Sequence, residues 1–251
     1  MPAILEIENL EVNFRGFRAV DGFDMAVEEG ELRVLIGANG AGKTTLMDLI
    51  TGRTKSTGGK VTFLGDNITN GQEHKIARRG IGRKFQVPSV FKDLTVRENF
   101  EVAHTRSLSV WRNLSVSAKP RQRNRQIEGA MELTSLADES GTFAGSLSHG
   151  QSQWLELGMV LVQSPKLVLL DEPTAGMTAL ETEKTSEIIN GLKSEHSIIV
   201  VEHDMTFVRS ICEIITVMHL GKKLAEGTVE QIENDRAVID AYLGSGGITH
   251  A

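Results

Sequence analysis

The chain has 251 residues, enough for one large domain or two small ones whose core needs no disulfide or metal to hold it together. With 40% apolar and 24% charged residues, it is neither collagen-like, otherwise fibrous nor wholly disordered. The net charge of −6 argues against a protein that coats nucleic acid, and the single cysteine is typical of a reducing compartment.

Strand patterns surround a glycine-rich loop in the N-terminal part of the chain. The first apolar positions are spaced, and Phe23, Met25 and Val27 alternate strictly with polar or small residues, which predicts two half-buried strands in an antiparallel patch. A short apolar run before the loop predicts a buried strand. The predicted elements are strands over 4–14, 23–27, 32–36 and 61–64, the glycine loop over 37–42, and a helix from there to about residue 50.

Helical patterns replace strand patterns from about residue 87 to residue 144. Thr95 and Glu98 fit a capping box, and apolar residues at three- and four-residue spacing predict an amphipathic helix over 125–136. We therefore expect a helical subdomain, 87–145, inserted into an α/β core formed by 1–86 and 146–244.

The α/β pattern returns after the insert. Apolar runs predict buried parallel strands, and Thr178 with Glu181 fits another capping box. The predicted elements are helices over 151–163 and 180–192, strands over 167–170 and 198–201, a hairpin over 214–220 and 223–225, two short helices, and a loose tail over 245–251.

A glycine-rich motif follows the strand predicted at 32–36 and opens a helix. Residues 37–44 match the phosphate-loop pattern G-x-x-x-x-G-K-[ST], for which an ordinary glycine turn is the alternative. Glycines let backbone N–H groups surround phosphate oxygens, and the helix N-terminus adds the positive end of a dipole. We expect Lys43 to reach the β- and γ-phosphates and Thr44 to bind Mg²⁺. The predicted phosphate contacts are Gly37, Ala38, Asn39, Gly40, Ala41, Gly42, Lys43, Thr44 and Thr45.

Two carboxylates end the apolar strand predicted at 167–170. A buried strand that ends in Asp171 and Glu172 needs a partner for these charges, and Mg²⁺ beside the phosphate loop is the expected one. Asp171 is predicted to hold the metal, directly or through water. Glu172 is predicted to face the γ-phosphate and to polarise the attacking water. Many strands end in an Asp-Glu turn, so the pair is informative only together with the phosphate loop.

Further motifs occur in the order of one family. Leu-Ser-His-Gly-Gln at 147–151 resembles the signature motif, usually Leu-Ser-Gly-Gly-Gln, of the ATP-binding-cassette (ABC) ATPases. Phe85-Gln86 is similar to the family's Q-loop, His203 to its switch histidine, and Phe14 to an aromatic that stacks on adenine. The resemblance covers nearly the whole chain. It implies an α/β fold of the P-loop NTPase class, with a RecA-like core, an N-terminal antiparallel β patch and an inserted α-helical subdomain.

The resemblance also implies a site. Its cofactors are ATP and Mg²⁺, the metal ligands are Thr44, Gln86 and Asp171, and the catalytic residues are Glu172, His203, Gln86 and Lys43. Ser148 with Gln151 fits a capping box, so the signature is predicted to open a helix. In this family that helix end faces the γ-phosphate held by the other subunit. The residues implied for that contact are Ser148, His149, Gly150 and Gln151, and a complete site requires a dimer that ATP holds together.

Three positions depart from the family pattern. His149 replaces a glycine, so the resemblance implies a side chain near the partner's phosphates. Thr178 lies where many members have Asp or Asn, and its role as a helix N-cap is enough to explain it. Phe14 replaces the more common Tyr, which preserves stacking and removes a hydroxyl contact.

Short stretches narrow the resemblance to one group of importers. Ala175–Thr178, Glu202–Met205 and Val238–Gly244 are similar to importer ATPases that serve branched-chain amino acids and related small amides. The signature followed by Trp154, together with Ser109–Trp111, is most like the ATP-binding subunit of urea importers. The implied function is therefore uptake of urea or a related small amide, with branched-chain amino acids as the alternative.

The importer resemblance implies several partners. They are two membrane permease subunits, a second related ATPase or a second copy of this chain, and indirectly a periplasmic binding protein, with no nucleic acid. No apolar run approaches the roughly 18 residues of a membrane span and no secretory signal opens the sequence, so we expect a peripheral protein at the cytoplasmic face of the inner membrane. A soluble ABC ATPase without a transport role is the remote alternative.

Overall fold

The computed structural model describes residues 3–84, 90–106, 120–193, 195–212 and 214–243. The strands in these ranges are β1 (Ala3–Phe14), β2 (Phe17–Glu28), β3 (Leu32–Ile36), β4 (Gly58–Phe63), β5 (Asp66–Asn67), β6 (Ile81–Lys84), β7 (Leu167–Asp171), β8 (Ser197–Val201), β9 (Ile214–His219) and β10 (Lys222–Gly227). The helices are α1 (Lys43–Thr51), α2 (Glu73–Arg78), α3 (Val96–Arg106), α4 (Pro120–Leu133), α5 (His149–Leu161), α6 (Ala179–Leu192), α7 (Met205–Ile211), α8 (Val229–Glu233) and α9 (Arg236–Leu243). A 3₁₀ turn at Ala144–Ser146 precedes α5.

The N-terminal strands form the predicted antiparallel patch. Within the described residues its strand order is β2-β1-β4-β5, and β1 pairs antiparallel with both β2 and β4. Phe23, Met25 and Val27 are buried, while the residues between them are exposed. The alternation in the sequence therefore marks the covered face of this sheet correctly.

The second sheet is mostly parallel and positions the site. Its order in the described chain is β10-β9-β3-β8-β7-β6, with β10 alone antiparallel to its neighbour. Because the carboxyl ends of parallel strands lie at one edge, the loop after β3, Asp171 at the end of β7 and His203 just after β8 lie at the same edge. Edge strand β6 was not predicted, because its sequence, Ile-Gly-Arg-Lys, is mostly polar.

The mostly parallel sheet is covered on both faces, which explains its unbroken apolar runs. Leu35 and Leu169 belong to an apolar cluster that includes the antiparallel sheet and α1. Val34 and Leu170, their neighbours in sequence, belong to the cluster under helices α5 to α9. If the sheet were covered on one face only, half of these apolar side chains would be exposed to water.

Helices α3 and α4 pack on α5. Phe100, Ile127 and Leu155, one from each helix, are fully buried in a further apolar cluster. Thr95 and Glu98 form the predicted capping box at α3: the Thr95 N–H donates to Glu98 Oε2 at 2.7 Å and the Glu98 N–H to Thr95 Oγ1 at 3.2 Å. The division into a core and an insert at 87–145 stays a prediction.

The boundaries of α4 differ from the prediction. The helix begins at Pro120 rather than residue 125, since proline is favoured in a first helical turn and the added residues are polar. It ends at Leu133 because Ser135 adopts a left-handed φ of 56°. The predicted tail, 245–251, lies outside the described residues. In the part of the chain that is described, none of the helices combines the length and apolar character that crossing a membrane requires.

Candidate active site

The loop between β3 and α1 has a backbone that only glycine can supply at its last position. Gly42 has a φ of 107°, and a Cβ there would overlap the Ala19 carbonyl oxygen and lie 2.8 Å from Met218 Cε. As N-cap, Gly42 offers no side chain to the first amides of α1. These amides are therefore donors of the kind that can bind an anion at a helix N-terminus.

Lys43, the first residue of α1, turns its side chain back over the loop. Its Nζ donates to the Gly37 carbonyl at 2.6 Å and to the Ala38 carbonyl at 3.1 Å. Burial lowers the pKa of this ammonium group, while the nearby Glu172 and Asp171 carboxylates raise it. The cation is therefore held at the loop, close enough to both acids for their charges to act on it.

Asp171 ends β7 and is buried. Arg83 on the neighbouring strand donates from Nη2 to Asp171 Oδ2 at 3.2 Å and from Nη1 to Asp48 Oδ1 at 2.6 Å. The protein itself thus supplies a cationic partner for the buried acid, whereas the sequence analysis named only Mg²⁺. Thr44 lies exposed at the start of α1. Its hydroxyl and the Asp171 carboxylate are oxygen ligands of the kind that Mg²⁺ binds, so the donor set fits the metal.

Glu172 adopts a left-handed backbone, with a φ of 46°. Its N–H donates to the Val201 carbonyl at 2.9 Å, which holds the residue against the end of β8. Such a conformation costs about 1–3 kcal/mol in a residue other than glycine and is often found at functional sites. His203, with 66% of its side chain exposed, places Nδ1 3.8 Å from Glu172 Oε1. Two predicted catalytic residues therefore lie together.

The predicted adenine contact lies on the β1–β2 hairpin. Phe14 ends β1, is 47% exposed and pairs with Phe17 across the hairpin. Ala19, farther along β2, approaches Gly42 of the phosphate loop. The Phe14 ring is thus accessible on a strand pair that borders the loop.

Gln86, predicted both as catalytic and as a metal ligand, lies outside the described residues. The strand that leads to it ends at Lys84, which is 1% exposed and places Nζ 3.8 Å from Glu156 Oε2 on α5. Burial lowers the pKa of Lys84, and the charges of Glu156, Asp171 and Glu202 raise it. A buried ion pair therefore joins the strand before the predicted Q-loop to the helix that begins at the signature.

The signature opens α5 as predicted. Ser148 is the N-cap: its Oγ accepts from the Gln151 N–H at 3.1 Å, and its own N–H donates to Gln151 Oε1 at 2.9 Å. The same hydroxyl donates to Glu181 Oε1 at 3.0 Å. Glu181 also forms the predicted capping box with Thr178. The signature is therefore connected to the first turn of α6 in its own chain.

His149 is exposed and contacts the turn after Glu172 in its own chain. Its Nε2 lies 3.0 Å from the Ala175 carbonyl, so this nitrogen is the donor. Ala175 belongs to the turn that follows Glu172. The histidine that replaces the family's glycine thus adds a hydrogen bond between the signature and the loop that follows the strand-end acids.

Comparison with known families shows to which family a chain with this site belongs. A family model described as "ABC transporter" matches residues 20–175, more than half of the 251-residue chain. The chain belongs to the ABC transporter family. A further model, described as "Branched-chain amino acid ATP-binding cassette transporter", matches residues 222–248 of this ABC protein.

Relatives of this ABC protein align over nearly all of its length. It is 39% identical over 249 residues to the high-affinity branched-chain amino acid transport ATP-binding protein BraF of Pseudomonas aeruginosa, with 96% of this chain and 98% of BraF covered. It is 35% identical over 249 residues to the corresponding protein LivG of Escherichia coli K12, with 96% and 98% covered. The crystal structure of MJ1267, an ATP-binding cassette of an ABC transporter in its ADP conformation, superposes with a TM-score of 0.86 at 30% identity, covering 97% of this chain and 100% of MJ1267. The expected fold and ATPase class are confirmed.

The geometry brings most of the predicted residues together, adds Arg83 and Lys84, which the sequence analysis missed, and gives contacts to Glu202, whose role the sequence left open. Arg83, Lys84 and Glu202 are buried charged groups at the sheet edge that carries Asp171 and Glu172. A run such as Ile-Gly-Arg-Lys in a short strand gives one usable signal, because a charge in a buried strand requires a partner. Which residue is that partner can be known only from the folded structure.

Proposed function

We propose that this ABC ATPase is the ATP-hydrolysing subunit of an importer for branched-chain amino acids or related small amides. The proposal is carried by the shared sheet edge, where the phosphate loop, Asp171, Glu172 and His203 lie in a chain whose relatives BraF and LivG are named for branched-chain amino acid transport. Urea is the second candidate cargo, favoured by the signature 147–151 followed by Trp154.

The phosphate loop and α1 would bind the ATP phosphates. The donors proposed are the backbone and side chains of Gly37, Ala38, Asn39, Gly40, Ala41, Gly42, Lys43, Thr44 and Thr45. Thr44, Gln86 and Asp171 would hold Mg²⁺, and the bound metal would neutralise charge on the phosphates. Phe14 would stack on the adenine, because its exposed ring borders the loop.

Glu172 would act as the general base. It takes a proton from the water that attacks the γ-phosphorus while the bond to the β-phosphate oxygen breaks. His203 lies 3.8 Å from Glu172, is largely exposed, and would donate a hydrogen bond to the γ-phosphate. Lys43 would offset the charge of the transferred group. Gln86 would connect the site to the helical subdomain.

A complete site would need two ATPase subunits. The signature residues 148–151 would face the γ-phosphate bound by the other subunit, which is either a second copy or a related ATPase. The capped N-terminus of α5 supports this arrangement, since Ser148 and Gln151 order the helix end that would meet the anion. ATP between the two faces would hold the dimer closed until hydrolysis.

Two exposed phenylalanines offer a surface for the permeases. Phe91 is 46% and Phe143 57% exposed, and their segments are joined where the Ala144 N–H donates to the Leu94 carbonyl at 2.9 Å. Exposed apolar groups of this kind suit contact with another protein. The chain would then be a peripheral subunit at the cytoplasmic face of the inner membrane, bound to two permeases and supplied by a periplasmic binding protein, with no nucleic-acid partner.

Uptake of labelled leucine and labelled urea at low external concentration tests this proposal. Cells carrying wild type, Glu172→Gln or the exposed control Glu187→Gln are compared. We expect Glu172→Gln alone to abolish leucine uptake and to leave urea uptake intact. Loss of urea uptake alone would move the cargo to urea. Persistence of both uptakes, with a protein that does not sediment with membranes when its permeases are present, would favour the soluble alternative.

A further inference from the structure

Glu202 lies between β8 and His203, and its side chain is buried. Only 1% of the residue is exposed. Its Oε1 accepts from the Thr174 hydroxyl at 2.7 Å and from the Thr174 N–H at 3.3 Å, and its Oε2 accepts from the His203 N–H at 3.0 Å. A carboxylate is buried at acceptable cost only when donors surround it in this way.

The contacts of Glu202 reach three segments of the site. Thr174 lies in the turn after Glu172, which is closed where the Ala175 N–H donates to the Glu172 carbonyl at 3.2 Å. The backbone N–H of Glu202 donates to the Leu35 carbonyl at 3.3 Å, near the end of the strand that leads into the phosphate loop. One residue thus connects the phosphate-loop strand, the turn after the proposed base and the loop of the switch histidine.

The turn after β7 requires such support. Glu172 is held in the left-handed region, and a conformation of that kind persists only where its surroundings fix it. The bond from its N–H to Val201 fixes one side of the turn. The two bonds from Thr174 to the Glu202 carboxylate fix the other side.

The same carboxylate also lies beside the His203 imidazole. The imidazole Nδ1 lies 3.8 Å from Glu172 Oε1 and 3.8 Å from Glu202 Oε2. These separations exceed hydrogen-bond length, so the contact that fixes His203 is the bond from its backbone N–H to Glu202 Oε2 at 3.0 Å.

We propose that Glu202 is a positioning residue for ATP hydrolysis. It holds the turn of Glu172 and the loop of His203 in register with the phosphate-loop strand, and it does not itself touch the nucleotide. This proposal rests on the functions proposed above for Glu172 and His203. A merely structural role for Glu202 would lower nucleotide affinity, stability and turnover together.

Glu202→Gln in the full-length protein tests the proposal. The glutamine keeps an oxygen for Thr174 but turns an amide donor toward the His203 N–H. We expect kcat for ATP hydrolysis to fall about 10- to 100-fold, with the KM and the affinity for a fluorescent ATP analogue at their wild-type values. Amide hydrogen exchange should rise in 172–176 and 202–205. The exposed variant Glu187→Gln, which makes the same charge change, should behave as wild type.

A double-mutant cycle with Thr174→Val gives a second measurement. Thr174→Val removes only the 2.7 Å bond, so it should lower kcat by a smaller factor, and the double variant should lose less than the product of the two single losses. If Glu202→Gln does not fold, Thr174→Val alone carries the test. Wild-type kcat in both single variants, or equal losses in binding and turnover, would overturn the proposal.

Glu172→Gln is measured in parallel to separate this proposal from the proposed function. Wild-type turnover in Glu172→Gln would refute the assigned base. A coupled loss of kcat in Glu202→Gln and Thr174→Val would still support positioning by Glu202, because the coupling reports the contact between Thr174 and Glu202 and not the identity of the base. Independent losses would refute the coupling through Thr174.

Discussion

Replacing Arg83 by methionine should destabilise the protein far more than the loss of an ordinary ion pair. Arg83 is 5% exposed at its side chain and bridges Asp48, at 2.6 Å, and Asp171, at 3.2 Å. Methionine fills a similar volume but leaves two carboxylates near each other without the cation between them. The chain offers a matched control in Arg79, whose ion pair with Asp66 spans 3.3 Å with side chains 45% and 71% exposed.

Burial sets the difference between the two variants. Removing one partner of a buried pair costs about 3–5 kcal/mol, because the remaining charge stays out of water. An exposed pair contributes about 0–1 kcal/mol. At about 2–4 °C per kcal/mol for a chain of this size, Arg83→Met should lower Tm by about 10 °C and Arg79→Met by less than about 4 °C.

Urea titration and thermal melts followed by circular dichroism measure both variants. Since Asp171 is also a proposed metal ligand, adding MgATP should restore part of the loss in Arg83→Met by placing a cation beside that carboxylate. Equal and small losses in the two arginine variants would refute the reasoning, because they would show that burial of the Arg83 pair has no energetic consequence.

Other predictions concern a thiol and the signature. Burial raises the pKa of the Cys212 thiol from 9.0 to about 11. As pH rises, this thiol therefore ionises in the unfolded chain before it does in the folded one, and the free energy of unfolding declines between about pH 9 and pH 11. Denaturant titrations should show wild type losing about 2 kcal/mol relative to Cys212→Ala between pH 8 and 10.5, and parallel curves would contradict this. In Gly150→Ala the new Cβ would lie 2.5 Å from Glu181 Cδ, so ATP turnover should fall while nucleotide binding persists; wild-type turnover would show that Glu181 moves aside freely. His149→Gly removes the 3.0 Å bond to Ala175 and should lower the free energy of unfolding by about 0.5–1.5 kcal/mol, measured by urea titration. An unchanged free energy of unfolding would show that this bond does not stabilise the fold.

Local patterns in the sequence predicted most of the fold. Strand β2 was found because Phe23, Met25 and Val27 alternate, and β3, β7 and β8 because strands buried on both faces are continuously apolar. Capping boxes at Thr95, Ser148 and Thr178 marked the beginnings of helices within a residue or two. Each of these signals spans only a few neighbouring residues, so it can be recognised without knowing the fold.

The roles that the sequence does not reveal depend on contacts between residues far apart in sequence. Arg83 meets Asp171 across 88 positions, and Glu202 meets Thr174 across 28. Neither pairing follows from composition or spacing, because only the parallel sheet brings these strand ends to one edge. His149 shows the same limit: its replacement of glycine was visible, but its contact with Ala175 was not.

Paired measurement of nucleotide binding and ATP turnover in Glu172→Gln and Lys43→Ala tests the central claim most directly. We predict that Glu172→Gln binds ATP as wild type does and loses turnover by about 10²- to 10⁴-fold, the contribution of a general base. Lys43→Ala should instead lose nucleotide binding. Wild-type turnover in Glu172→Gln, with binding intact, would contradict the assignment of Glu172 and with it the proposed mechanism.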